Sequence, residues 1–558
     1  MAKKKQSKGG GFLAQGIILA SAGIITKIIG FIYRIPMLNF MGLDGQGYYD
    51  IAFQVYTIAL TISSYSLPLA VSKLVSARMA KGERKNAYRV FKAAMLFAFV
   101  AGGLITLVVL LGADTIATNI MGAKLSSYAL KVLAPGLLIV SIMGVLRGYF
   151  QGLGTMIPTA LSQILEQIVN AVVSVVGAAM LLKYGESVAK TQGNELLAAA
   201  YSSAGGTLGT VAGALMGLVF LGFSYCAYKS IQKKQLRMDR SKHTEDYKTI
   251  FKLLLLTIAP VILSTTVYNL SNVVDSAMFN KIMTAQGFSE KECVTLLGKL
   301  GQYYTLFNVP LAVANALGSS MIPGLVRAYE SHERKLVHNR IYMAARYTML
   351  IAIPSAVGFF VLGEPIMNFI WPSVDNSMQN MIWKIGAISL IFYSLSTITN
   401  AVLQGLNRMM KPVKNATVSL ILHLVSLFIM MVVFKWGLYA VIVSKIVFSL
   451  SMCIMNSHDI REACGYVQER QRTFVIPGIA AGIMGIAAYL AHLVLDIFVG
   501  GRFATLVALF TAVIVYAVCL LKMGGLTEDE LLSMPKGATL ISICRKLHLL
   551  NDLSLIHI

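Results

Sequence analysis

A short phrase occurs twice in this chain, roughly 250 residues apart. Gln151-Gly152-Leu153 is followed by Met156 and Pro158, and Gln404-Gly405-Leu406 by Met409 and Pro412. A second pair of landmarks agrees: Tyr48-Tyr49 precedes Pro68 by the same interval as Tyr303-Tyr304 precedes Pro323. Both copies of the phrase lie between long apolar runs. Self-similarity at one offset means that two stretches share one architecture. An even number of spans per copy makes the repeat parallel, a pattern of transporters.

The composition says what kind of unit is repeated. Of 558 residues, 56% are hydrophobic and 13% charged, with a mean hydropathy of +0.69. Soluble chains carry about 25% charged residues. Apolar runs of about 20 residues, enough to cross a bilayer, recur along almost the whole length. The expectation is an all-α polytopic membrane protein of about fourteen transmembrane helices: two six-helix lobes as a parallel repeat, plus two C-terminal helices. Residues 1–228 form the first lobe, 229–460 the cytoplasmic linker and second lobe, and 461–552 the last two spans and a tail. The tail after Gly524 opens acidic (Glu528, Asp529, Glu530) and reads as a short surface helix. Residues 553–558, Leu-Ser-Leu-Ile-His-Ile, match what a sequencing-library transposon end encodes in frame, and are read as a scar replacing the true C-terminus.

A net charge of +23 suggests nucleic acid until its distribution is considered. With a cytoplasmic N-terminus, most of the 48 Lys and Arg fall on inside segments, so the positive-inside rule puts both ends in the cytoplasm of a plasma-membrane protein. The clusters Lys229 to Lys252 and Arg78 to Lys92 set topology and hold anionic lipid. Nucleic-acid binding is set aside. Lys3, Lys4, Lys5 and Lys8 could open a signal peptide, but the apolar run to Met37 is too long and lacks a cleavage site, so it reads as a retained first helix. Six cysteines without a CxxC spacing read as packing residues, with neither disulfide nor metal site. Pro68, Pro135, Pro260, Pro310, Pro323 and Pro354 in or near the spans suit bent helices.

Ionisable groups inside the bilayer are the sharpest signal, because each costs about 2.5–3.5 kcal/mol at mid-helix. Lys27 and Arg34 lie two turns apart on one face of the first span, and Lys73 follows Pro68 on the second. Arg147 closes the fourth span and Glu166 sits in the fifth. Asp275 lies in the seventh with Asn269 and Asn272. One reading is a cationic cavity for an anionic substrate, bound by Lys27, Arg34, Lys73 and Arg147. Asp275, Asn272, Asn269 and Glu166 then handle ion or charge coupling. The bland readings stay open: Arg34, Lys73 and Arg147 snorkelling to an interface, and Glu166 paired internally with Arg147. Lys131, Lys384 and Lys445 read as interfacial. There is no Walker loop, since Gly298-Lys299 lacks the upstream glycine and the following Ser/Thr, and His332 and His338 read as surface residues. The chain is therefore not read as an enzyme, and no cofactor is expected beyond coupling to sodium, potassium or protons.

Arg147-Gly148-Tyr149-Phe150-Gln151-Gly152, Met156, Pro158-Thr159-Ala160, Ser162-Gln163 and Glu166-Gln167-Ile168-Val169 resemble the signature of the SpoVB/YtgP group, the Gram-positive, MurJ-like branch of the multidrug/oligosaccharidyl-lipid/polysaccharide (MOP) exporters. Pro68 with Ala70-Val71-Ser72-Lys73 and Val75-Ser76, Lys27-Ile28-Ile29-Gly30 with Tyr33 and Pro36, and Asp275 with Phe279-Asn280-Lys281 are similar to further motifs. The likeness spans the first twelve helices. It implies two six-helix lobes in a V, alternating access, and an undecaprenyl-diphosphate-linked sugar as substrate, chiefly the peptidoglycan precursor lipid II. It further implies a cavity lined by spans 1, 2, 7 and 8, a lipid-tail groove at spans 13 and 14, and Lys27 where Gram-negative members have an essential basic residue. By the same resemblance, Thr61 and Ser63 lie in the stretch where those members place one arginine, and Thr305 stands where they place another. The expected function is outward flipping of that lipid, with plasma-membrane lipids and cell-wall synthases as partners. The alternatives are a drug/cation antiporter of the same fold and a non-transporting scaffold.

Overall fold

The computed structural model describes residues 8–546, apart from 240, 242, 243, 373, 527, 529 and 531–536. The segment 553–558 read as a scar lies outside the described residues, as does Asp529. Among them the chain is helical with no strand. Eleven helical stretches are long and apolar enough to cross a membrane, the first a run of 60 residues. Their outward faces are greasy and their inward faces small or hydroxylated. Leu111, Ile497 and Phe498 are each about four-fifths exposed, whereas Ser174, Ser202, Ser203 and Thr207 are buried. Such an inside-out distribution fits a lipid solvent and suits no aqueous one.

The chain divides into two compact units, Met1–Gly301 and Gln302–Ile558. In the first, α1 (Lys8–Leu60) is broken at Gly42, whose φ of 64° and ψ of −175° end one helix and start the next. A π-helical turn (Thr61–Tyr65) follows, then α2 (Leu67–Ala80) with Pro68 in its first turn, where no N–H is needed. α3 (Arg84–Thr115), α4 (Ser126–Gly152), α5 (Ile157–Gln192), α6 (Leu196–Arg237), α7 (Tyr247–Ala285) and the opening turns of α8 (Glu290–Glu330) complete it. Glycine brings α5 and α6 backbone to backbone: a Cβ on Gly177 would lie 2.5 Å from the Gly205 carbonyl oxygen.

The second unit continues α8 and adds α9 (Arg334–Ile370), α10 (Gln379–Gly405), α11 (Met410–Val432), α12 (Leu438–Cys464), α13 (Ile476–Val499), α14 (Gly501–Lys522) and α15 (Gly537–Lys546). Tyr303 and Trp383 lie 4.4 Å apart at its core. α13 and α14 pack on each other and on α9, with the Tyr516 hydroxyl donating to the Leu350 carbonyl at 2.9 Å. Arg346 of α9 is 1% exposed. It pairs with Glu530, donates to the Gly525 carbonyl at 2.6 Å and to the Tyr342 hydroxyl at 3.0 Å. The acidic start of the tail is thus the counter-charge of a buried arginine. Arg545 of α15 ties back to Glu528 at 2.7 Å.

The repeated phrase is a helix–turn–helix joint. In the first copy α4 ends in a Schellman turn: Gly154 N–H donates to Gln151 at 3.0 Å, Thr155 N–H to Phe150 at 3.1 Å, and Gly154 has φ 90°. In the second copy Asn407 N–H donates to Gln404 at 3.1 Å, Arg408 N–H to Leu403 at 2.9 Å, and Asn407 has φ 58°. Pro158 and Pro412 then fall in the first turns of α5 and α11. A further pair was not read from the sequence. Gly82-Glu83-Arg84-Lys85 and His332-Glu333-Arg334-Lys335 form the same turn, with Glu83 N–H on Arg78 at 2.9 Å and Glu333 N–H on Ala328 at 3.1 Å.

One reading needs correction, and one residue gains a detail: Lys445, read as interfacial, is 4% exposed within α12. His338 is not a plain surface residue, because its Nε2 lies 2.8 Å from the Cys464 carbonyl oxygen and its ring packs on Tyr466. All six cysteines are free.

Candidate functional site

The sequence-selected cations separate into bonded and unbonded ones. Arg147 donates from Nη2 to Glu166 Oε2 at 2.6 Å and from Nε to Ser162 Oγ at 3.0 Å. Both side chains are largely buried, at 13% and 26% exposure. This joint between α4 and α5 follows from the repeated turn, which folds the start of α5 back beside the end of α4. The internal pairing of Glu166 is therefore formed. Lys27 and Lys73, in contrast, are exposed on α1 and α2 and make no ion pair with a described residue. Arg34 is half-buried, with Cζ 5.8 Å from the Tyr49 ring centroid, and acts on Asp50.

Gln151 is half-buried, while Gly152 continues a stripe of glycines on α4 facing α2. A Cβ on Gly148 would lie 2.6 Å from the Pro68 carbonyl oxygen, and one on Gly152 2.7 Å from Val75 Cβ. In the second copy a Cβ on Gly405 would meet Leu325 Cδ2 at 2.8 Å. In both copies the glycine lets the fourth span of its copy approach the second. This is the small-residue packing that substitutes for hydrophobic drive in lipid.

Asp275 is 3% exposed, Asn269 donates to Thr61 Oγ1 at 3.2 Å and Asn272 is exposed. Asn269 is thus turned to the π-helical turn. Thr61, Ser63 and Thr305 are buried, at 1%, 1% and 5% exposure. The linker read as cytoplasmic is docked on the α2–α3 turn. Asp239 accepts the Lys85 N–H at 2.6 Å, and Glu245 pairs through its carboxylate with Arg78 while its backbone N–H donates to Asn86 Oδ1 at 2.9 Å. Burial works to raise the Asp239 carboxyl, but the N–H groups of Lys85 and Ser241 outweigh it and hold the group below its usual range.

Sequence reasoning missed Asp50. It lies on the helical run 43–60 one turn after Gln46 and one turn before Gln54, against Gly301 of α8. The signal was present as a polar stripe at i, i+4 and i+8 in an apolar run. Also missed was a buried network in the second unit. Asn456 donates to Thr399 Oγ1 and Asn400 Oδ1 at 3.0 and 2.8 Å, Asn415 to Asn456 Oδ1 at 2.9 Å, and Lys411 to Asp459 at 2.6 Å. His458, Asp459 and Glu462 could converge on a metal, but the Lys411 ammonium already occupies that carboxylate pair.

Residues 12–329 match the family described as "Polysaccharide biosynthesis protein". The chain is 27% identical over 543 residues to "Lipid II flippase MurJ" of Bacillus subtilis (strain 168), covering 92% of this chain and 96% of that one. It is 28% identical over 397 residues to "Stage V sporulation protein B" of the same organism, covering 71% and 73%. A solved structure, "Lipid II flippase MurJ, inward closed conformation", superposes with a TM-score of 0.63 at 13% identity, covering 90% of this chain and 98% of that one. The resemblance read from the motifs is borne out, and the fold is shared with that structure.

Proposed function

Because the chain belongs to the polysaccharide biosynthesis protein family, we propose that it flips an undecaprenyl-diphosphate-linked sugar, chiefly lipid II, from the inner to the outer leaflet. Both termini lie in the cytoplasm, and two lobes joined at the linker 229–248 alternate access. The observation that carries the reading is the pair of exposed cations, Lys27 and Lys73, on the first two spans, which make no ion pair among the described residues. An exposed ammonium on a spanning helix is costly against lipid. It is stable beside water or an anionic head group. A drug/cation antiporter would want carboxylates there.

The membrane potential suits the direction. A diphosphate carries about two negative charges, each worth roughly 2.3 kcal/mol per 100 mV, so an inside-negative potential favours outward movement. Asp275 holds a monovalent cation or a cavity base during the return step. The test is complementation of a strain depleted of its lipid II flippase, with labelled precursor followed in reconstituted vesicles. Failure of the wild-type chain in both would remove the reading. Vesicles also separate the two roles of Asp275: loss of sodium, potassium or proton dependence in Asp275→Asn supports the cation.

A further inference from the structure

Among the described residues, three acceptor oxygens on one face of a single helix have no donor: Gln46 Oε1, Asp50 Oδ2 and Gln54 Oε1 are all buried without a hydrogen bond. They recur every four residues, so they stack along one face. Gln46 is 2% exposed, and its amide is turned toward Asp50. The face is pressed on the opening turns of α8 by glycines. A Cβ on Gly47 would lie 2.2 Å from the Val294 carbonyl oxygen, and one on Gly298 2.0 Å from that of Leu43. Gly301 is the extreme case, where a Cβ would lie 1.8 Å from Asp50 Oδ2 itself. The helix pair is therefore shaped to keep a carboxylate oxygen between them.

Among the described residues the charged group acting on Asp50 is Arg34 of α1. Tyr49 lies beside Arg34 on the same side, and α8 carries a buried lysine, Lys299, two residues before Gly301. Arg34 supplies charge but no hydrogen bond to Oδ2. A site made of a carboxylate and two amide oxygens, all acceptors, calls for a small hard cation. We propose that the Gln46–Asp50–Gln54 face binds a monovalent cation, proton or alkali metal, in competition with Arg34. Occupancy neutralises Asp50 in place of Arg34 and releases the guanidinium toward an anionic ligand. This deepens the ion coupling proposed above and is separate from Asp275.

Binding is measured apart from flipping, on the purified full chain, so its failure leaves the flippase reading standing. Thermal unfolding is followed in sodium, potassium or choline chloride at fixed ionic strength, and across pH in choline. The expected result, in an Asp275→Asn background that removes the other cation site proposed above, is saturable stabilisation by sodium or potassium over choline, or by a proton alone, abolished when Asp50→Asn is added. Arg34→Gln should tighten binding by about tenfold or more, because it removes the competing charge. Gln54→Leu, away from the Gly301 contact, should weaken it by about tenfold and serves if Asp50→Asn does not fold. Stabilisation that persists in Asp50→Asn, weakens in Arg34→Gln, or is absent from the wild type under every condition would overturn the proposal.

Discussion

The Arg147–Glu166 pair allows the substrate-binding and structural readings to be separated by energy. Glu166→Gln keeps the shape of the side chain and removes the charge facing Nη2, 2.6 Å away. Two unit charges about 4 Å apart interact by about 4 kcal/mol at an effective dielectric constant of ~20. Removing one partner of a buried pair leaves the other stranded and costs about 3–5 kcal/mol. The residual exposure and the Ser162 bond at 3.0 Å soften this to roughly 2–3 kcal/mol. Arg147→Met should cost less, since a stranded carboxylate retains more access to water than a stranded guanidinium here, 26% against 13%. Arg147→Met with Glu166→Leu removes both charges and should recover most of the loss. The cycle is run on purified protein by denaturant or thermal unfolding, with flipping measured on the same samples. A coupling below about 0.5 kcal/mol would refute the structural account. A stable double variant that no longer flips would return Arg147 to the substrate.

Four further outcomes are expected. Lys27→Ala should abolish flipping at normal membrane levels while Lys27→Arg retains most of it, measured by complementation at matched expression; charge matters more than shape for a loosely held diphosphate. Lys73→Glu should harm transport more than Lys73→Gln, and equal initial rates in vesicles would show that Lys73 only snorkels. Gly152→Leu should lower the unfolding temperature and the yield of monodisperse protein by forcing α4 from α2, at a cost of about 1–3 kcal/mol or more. His332→Gly should stabilise the second unit by about 1 kcal/mol, because His332 sits at φ 57° where its counterpart is Gly82; denaturant midpoints decide it.

The repeat was legible because it is written in residue types that backbone geometry demands. A Schellman turn needs a residue at positive φ, and Gly154 and Asn407 supply it. The glutamine and glycine landmarks were visible, but their role was not, because close approach to Pro68 and Val75 is a fact of packing. Lys27, Lys73 and Asp275 were found by their cost in lipid. Asp50 was not among the residues selected by that argument. Only the distant Gly301 shows it to be enclosed. The docked linker was hidden for a similar reason: Asp239 and Glu245 stand in a basic stretch, and their partners Lys85 and Arg78 lie over 150 residues away.

Arg346 has a consequence for biogenesis. Its carboxylate partner, Glu530, lies 184 residues downstream. At synthesis rates of about 5–20 residues per second, α9 exists for roughly 10–40 s before its counter-charge is made. During that interval the guanidinium cannot enter its final site without being stranded there. The expected consequence is a delay in assembly: the α9 face around Arg346 should close only after the tail has been translated and folded back. Chains stopped before Glu530 should reach the membrane and be recognised as unfinished.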